Sequence, residues 1–311
     1  MFPVFLYSTR PQNEILLLQS FSSAMIKSLD LRLMTTEDLL FADHLRALEG
    51  WNQRLEDWQR YLTTEPNGCF VAVWDGVPAG TIITTMYGPE LGWIGMLLVH
   101  PDFRRRGIGT ELLKVCIKYL QGRNVRCIKL DATPAGKVVY DALGFKDEWT
   151  LSRWEGVYAP PPLLKPDLRI RKWQKTDTPM IDRIDTEAFG VSRSRVLQAL
   201  AHQSLSALVL ESKPGRIIGY GLLREGSRAM QIGPVVATSA DSGIHLIETL
   251  VLDSRGQRIF WDILHRNTAA IAWVKQQSFT VQRSLTRMYL GENSMPGDPQ
   301  KHFALAGPEL G

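Results

Sequence analysis

Cysteine is scarce in this chain, with Cys69, Cys116 and Cys127 the complete set. An odd count, with each thiol in an apolar run and no CxxC spacing, excludes a disulfide framework and a cysteine-based zinc site. Reduced core thiols in a cytoplasmic protein are expected. Long apolar runs are missing too: nothing approaches the ~20 residues that a bilayer span needs, so no membrane association is expected. Charge of one sign is not in large excess, since 36 Lys+Arg against 32 Asp+Glu leave +4 over 311 residues. That balance speaks against a dedicated nucleic-acid binder. His44, His202, His245 and His265 are scattered without HxxxH spacing or a neighbouring cysteine, and no metal is expected. The first thirty residues lack a basic segment ahead of a clean apolar one, so residues 1–30 are expected to form an N-terminal extension and not a signal peptide, with Met25 as an alternative start.

What is present is ordinary for a globular protein: 44% hydrophobic and 22% charged residues. At roughly 100–200 residues per domain, two domains are the default. Pro160-Pro161-Pro162 predicts a stiff linker over 157–166, dividing a first domain at 31–156 from a second at 167–291. The tail, 292–311, is rich in Gly and Pro but keeps Phe303, Ala304 and Leu305 as residues fit to dock.

In the first domain Leu31–Met34 alternates and meets Thr35-Thr36-Glu37-Asp38, a strand running into a helix start. Trp51, Leu55, Trp58 and Leu62 recur at helical spacing and predict one apolar face. Cys69–Trp74 and Ala79–Met86 flank Asp75-Gly76, a hairpin signal, and Leu91–Val99 predicts a third strand. A glycine-rich turn and a helix beginning near Glu111 come next. Cys127–Leu130 then reads as a strand, Lys137–Leu143 as a helix, and Gly144-Phe145 as a stop followed by a strand. The order β-α-α-β-β-β-α-β-α-β predicts an α/β (α+β) mixed-sheet domain.

Chemistry concentrates at the turn Arg104-Arg105-Arg106-Gly107-Ile108-Gly109-Thr110. Gly107 and Gly109 allow close backbone approach, the following helix offers unpaired N–H groups, and the arginines add positive charge, so the turn suits a pyrophosphate. It matches neither GxGxxG nor GxxxxGK[ST].

The segment from Leu97 to Leu113 resembles the acyl-CoA-binding motif of the GNAT superfamily of N-acetyltransferases. In that motif [RQ]-x-x-G-x-[GA] follows a strand, and Arg104, Gly107 and Gly109 fill it here. A second family marker, a Tyr four residues before Gly-Phe, is matched by Tyr140 and Gly144-Phe145. The resemblance covers about residues 31–155. It implies acetyl-CoA as acyl donor, with backbone groups of Leu97, Leu98 and Val99 along the pantetheine arm and N–H groups from Arg105 through Thr110 on the pyrophosphate. It implies Tyr140 as the acid that protonates the departing thiolate and a backbone N–H near Leu98 for the oxyanion. Thr133 stands where the family often has Asn, so polar contact to pantetheine is altered there. Trp51, Trp58 and Glu90 are candidates for the acceptor pocket. Core packing competes for the two tryptophans, and His100 reads as a surface residue. Glu90, Asp131, Glu56 and Glu49 are all available as a general base, with no spacing that selects one.

The second half repeats the unit. Leu168-Arg169-Ile170 answers Leu31-Arg32-Leu33, Ile232–Ala237 answers Ile94–Val99, and Thr286-Arg287 answers Ser152-Arg153. Its turn is reduced to Ser239-Ala240-Asp241-Ser242-Gly243-Ile244, and Val274 takes the tyrosine position. A degenerate, non-catalytic GNAT-like domain in tandem with a working one is the reading. The implied function is acetyl transfer to a primary amine by direct attack in a ternary complex, with acetyl-CoA and the amine as partners. A non-catalytic CoA-responsive module and a transferase for another acyl-CoA, such as succinyl- or propionyl-CoA, remain open. Tyr140 separates the sensor from the enzyme, because a sensor needs no acid beside the sulfur.

Overall fold

Strand pairing runs without a break across both halves of the chain. The structure, a computed structural model, describes residues 28–157 and 169–311; most of the expected N-terminal extension and the Pro160–Pro162 linker lie outside them. The first half contributes β1 (Leu29–Leu33), α1 (Leu39–Leu48), α2 (Leu55–Thr64), β2 (Cys69–Trp74), β3 (Val77–Met86), β4 (Leu91–Val99), α3 (Ile108–Gln121), β5 (Cys127–Ala132), α4 (Pro134–Ala142) and β6 (Lys146–Gly156). The second contributes β7 (Arg169–Lys172), α5 (Thr178–Phe189), α6 (Ser194–His202), β8 (Ser206–Lys213), β9 (Arg216–Arg224), β10 (Met230–Ala237), α7 (Ala240–Asp253), β11 (Ile259–Leu264), α8 (Thr268–Gln276), β12 (Thr280–Gly291) and β13 (His302–Ala304). The same order of elements occurs twice. None of the helices among the described residues is long and apolar enough to cross a membrane.

Local chemistry explains most boundaries. At the head of α1, the Thr35 N–H donates to Asp38 Oδ2 at 2.8 Å, while Arg32 holds both Asp38 oxygens at 2.7 Å. Arg171 and Asp177 repeat the arrangement in the second half, at 2.7 and 2.9 Å. Asp75 and Gly76 both have positive φ, 49° and 82°, as a two-residue hairpin of the primed type demands. One expectation fails here. Trp51 is not part of a helix, because α1 ends at Leu48, Gly50 turns the chain at φ 63°, and α2 starts only at Leu55. The Arg54 N–H donates to Asp57 Oδ2 at 2.7 Å and sets that start.

The sheet order is β1-β2-β3-β4-β5-β12-β6-β11-β10-β9-β8-β7, with β13 added beside β10. Its centre is an exchange. The last long strand of the second half, β12, lies between β5 and β6 of the first, and β6 in turn pairs with β11 of the second. Each half therefore completes its sheet with a strand of the other. The core is shared as well: Trp58, Tyr87, Trp93 and Met96 cluster with Phe189, Val191, Val196 and Leu222. Such a continuous apolar contact is what fixes the two halves relative to one another.

Candidate active site

Two irregularities in β4 open the sheet. On one side, the register against β3 shifts between Thr81–Leu98 and Ile83–Gly95, so β4 carries an extra residue there; Met96 takes φ 51°. The Thr81 hydroxyl donates to Met96 O at 3.2 Å and ties the bulge down. On the other side, β4 pairs in parallel with β5 only through Leu91, Gly92 and Trp93. From Ile94 onward the strands part, while β5 stays paired with β12 along its other edge over its whole length. The backbone of Leu97, Leu98 and Val99 borders this split and has no β5 partner.

The turn after β4 leads into α3. Gly107 has φ 79°, a left-handed conformation that suits glycine, and a Cβ on it would meet nothing within 4 Å. Arg105 is also left-handed, at φ 61°. A Cβ at Gly109 would lie 3.7 Å from Val99, so the strand and the helix start are in near contact. Ile108, Gly109 and Thr110 lie in the first turn of a 14-residue helix, where N–H groups have no carbonyl behind them. The arginine side chains are spent locally: Arg104 Nε donates to Val99 O at 3.0 Å and its Nη2 to Glu49, while Arg106 donates to Asp102 O at 3.0 Å and sits 5.3 Å over the rings of Trp74 and Phe103. Of the three arginines only Arg105 makes no side-chain hydrogen bond or ion pair among the described residues.

A cavity lies at the split. Gly95, Met96 and Leu97 line it from β4, Thr133 and Tyr140 from α4 and its cap, and Arg283 and Glu309 from the second half. Tyr140 is half-buried, and its ring packs on Gly136, where a Cβ would come within 3.0 Å of it. The hydroxyl takes no hydrogen-bond partner among the described residues, and burial pushes its pKa to about 12, so it is a protonated phenol at neutral pH. Thr133 caps α4 by accepting from Gly136 N at 3.1 Å.

The other residues singled out from sequence divide. Trp51 lines the cavity. Trp58 does not: it is fully buried, edge-on to Tyr61, because its face of α2 points into the shared core. Glu90 stands at the opposite end of β4, paired with Arg126 at 3.1 Å, and is outside the cavity. His100 caps the short turn after β4 and stacks against His44 with ring centroids 6.2 Å apart. Of the other acidic candidates, Asp131 reaches the cavity but is bound by Arg287 at 2.9 and 3.0 Å, Glu49 pairs with Arg104, and Glu56 pairs with Arg54 at 3.2 Å on the surface.

Sequence reasoning missed Glu309. Its carboxylate accepts from Gln53 Nε2 at 2.8 Å and from the Tyr61 hydroxyl at 3.3 Å, and burial raises its pKa above the ordinary carboxylate value. It arrives on a segment that first passes through the second half. There β10 and β11 also part, after Ile232 and Trp261, but β13 fills the gap by pairing Ala304 with Val235 and His302 with Val236. The Trp261 indole donates to Phe303 O at 2.8 Å, and a Cβ on Gly243 would strike the Phe303 ring at 2.4 Å. Leu305 then packs with Leu151, Leu264 and Leu285 of the exchanged strands, and Glu309 lies against Gly95, where a Cβ would come within 2.8 Å of its Cα. Trp93 Nε1 donates to Pro308 O at 3.0 Å and the Tyr87 hydroxyl to Leu310 O at 2.9 Å. No group of three or more His, Cys, Asp or Glu side chains suited to a metal occurs among the described residues.

Comparison with known proteins agrees with this architecture. Residues 34–145 match the Acetyltransferase (GNAT) family, and residues 181–304 match the Acetyltransferase (GNAT) domain. An uncharacterized N-acetyltransferase of Bacillus subtilis, YitH, is 28% identical over 163 residues, which cover 52% of this chain and 57% of that protein. The holothin acyltransferase of a Pseudoalteromonas species is 23% identical over 265 residues, 85% of this chain and 88% of that one. A crystal structure of a putative acetyltransferase from Pyrococcus horikoshii superposes with a TM-score of 0.79 at 25% identity, covering 91% of this chain and 96% of that one. With the bulged and splayed β4, the glycine turn into α3 and the same order of elements in both halves, the chain belongs to the GNAT acetyltransferase family and carries two of its domains in tandem.

Proposed function

We propose that this chain transfers an acetyl group from acetyl-CoA to a primary amine, by direct attack within a ternary complex, at the split of β4 and β5. The observation that carries the reading is the placement of the unpartnered Tyr140 phenol on the same cavity as the β4 bulge and the Glu309 carboxylate. In this reading Leu97, Leu98 and Val99 offer the pantetheine arm the hydrogen bonds that β5 does not take. Backbone N–H groups from Arg105 through Thr110 hold the pyrophosphate. Arg104 and Arg106 shape the turn more than they touch phosphate, since their guanidinium groups are engaged within it.

The chemistry needs one proton taken and one given. As the amine nitrogen attacks the thioester carbon, the C–N bond forms, the carbonyl oxygen gains negative charge near the Leu98 N–H, and the nitrogen's proton passes to Glu309. Collapse breaks the C–S bond, and Tyr140 gives its proton to the leaving thiolate. Amide and free thiol result, and solvent restores Glu309 and Tyr140. Glu309 fits the base role because its raised pKa lies nearer neutrality than an exposed carboxylate's. The second half acts by supplying that carboxylate and one wall of the cavity; β13 occupies the place where it would hold a donor of its own.

Titration calorimetry with acetyl-CoA, followed by thiol release with a panel of primary amines, tests the reading. Donor binding with amine-dependent thiol release is expected. Donor binding without release for any amine would favour a CoA-responsive module instead.

A further inference from the structure

Arg283 has no direct ion pair among the described residues, and Asp262 and Glu309 attract it only from beyond contact distance. On β12 it stands directly across from Arg153 of β6, a like-charge pairing that is unfavourable in a sheet. Arg153 is neutralised, donating to Asp262 at 2.8 and 2.7 Å. Among the described residues Arg283 makes no ion pair or hydrogen bond, and its Nε is buried without a partner. The face of Trp51 lies beside it, with the guanidinium carbon 5.7 Å from the ring centroid. Burial, with Arg153 adding to it and Asp262 and Glu309 opposing it, holds the pKa down to about 10, so the group remains a cation at neutral pH. A half-buried guanidinium whose Nε has no hydrogen-bond partner is costly to keep. It lines the same cavity as Tyr140 and Glu309, which is where a bound molecule can supply a direct partner for the guanidinium.

We infer that the acceptor amine also carries a carboxylate, as an amino acid does, and that Arg283 seats the carboxylate while Glu309 faces the amine. The inference rests on the acetyl-transfer reading above. A planar guanidinium matches a carboxylate with two parallel hydrogen bonds. Trp51, stacked beside it, offers an apolar wall for the part of the acceptor between its two charges. The opposite signs of Arg283 and Glu309 set the direction in which such an acceptor enters.

The test compares amino acids with their carboxamides, which keep the amine and lose the negative charge. Each pair is titrated into the full chain saturated with CoA, and thiol release is followed with acetyl-CoA. The free acid is expected to bind about 10- to 100-fold more tightly than its amide, the span of one charge-assisted pair. Arg283→Gln should erase the preference by weakening the acid alone, and Arg283→Lys should keep part of it. Thermal melting verifies that both variants fold. An amide that binds as well as its acid, an R283Q variant that weakens both alike, or failure of either member to bind would overturn the role of Arg283. The acetyl-transfer reading fails by a separate result, loss of acetyl-CoA binding to the unmodified chain.

Discussion

Arg287 on β12 grips Asp131 on β5 through Nε at 2.9 Å and Nη2 at 3.0 Å, and this bond joins the two halves of the chain. Its counterpart, Arg153 on β6 to Asp262 on β11, joins them in the opposite sense. All four side chains are almost wholly buried. Each half thus supplies the arginine for the other's aspartate, as each supplies a strand for the other's sheet. Removing one partner strands a buried charge, so Arg287→Met is expected to cost about 3–5 kcal/mol, while Arg287→Met with Asp131→Leu should recover most of that loss. Chemical denaturation of the single and double variants measures both; a double variant no more stable than the single one would refute the pairing as the source.

Tyr140→Phe removes the phenolic proton and keeps the ring that packs on Gly136. Turnover should fall about 10²- to 10⁴-fold with CoA affinity nearly unchanged, because the proton is needed only as the thiolate leaves. Steady-state rates beside calorimetric affinities decide this, and a variant with full turnover would assign the proton to water.

One acyl donor per chain is expected, since the second split is occupied by His302–Ala304. Gly109→Asp should abolish even that binding, by placing a carboxylate at the helix start close to Val99. Calorimetric stoichiometry reads both, and two sites on the unmodified chain would contradict the occlusion.

The rate should rise with pH through the raised pKa of Glu309, because the base works deprotonated; the acidic limb then lies above the ordinary value of 4.5. Glu309→Gln should lower turnover and remove that limb while leaving donor binding intact. A pH–rate profile of the variant that keeps the same limb would place the titrating group elsewhere.

Splitting the chain between Pro160 and Pro161 offers a test of the exchange. Alone, the first fragment has no partner for β6 and an open edge on β5, since β6 pairs only with β11 and β12. Insolubility of that fragment is expected, with recovery when both fragments are co-expressed. Size-exclusion chromatography reads the outcome, and a soluble monomeric first fragment with intact kinetics would show that β12 is dispensable.

Much of this was legible in the sequence. Thr35–Asp38, Asp75-Gly76 and the Arg104–Thr110 turn carry local signals that act within a few residues, and each forms the element its chemistry predicts. The exchange was not legible, because β6 and β12 have the same pattern whichever half they complete; Ser152-Arg153 and Thr286-Arg287 reveal the repeat but not who pairs with whom. Trp51 kept helical spacing without being helical, since Gly50 interrupts the chain just before it. Glu309 and Arg283 gave no motif. Their significance comes from contacts with Gln53, Tyr61 and Trp51, more than 200 residues away in sequence.

The place of β12 in the sheet also fixes a timetable for synthesis. Strands β1 to β5 leave the ribosome early, yet the neighbour of β5 is made about 150 residues later, and Glu309 follows it. Pairings of such long sequence separation slow folding and leave edges uncovered meanwhile. On the reading proposed above, a nascent chain therefore carries the donor turn long before the acceptor site, and the segment that seals the second half is the same one that brings Glu309 to the first. On that reading the site is complete only once β12 has closed the sheet and Glu309 stands against Gly95.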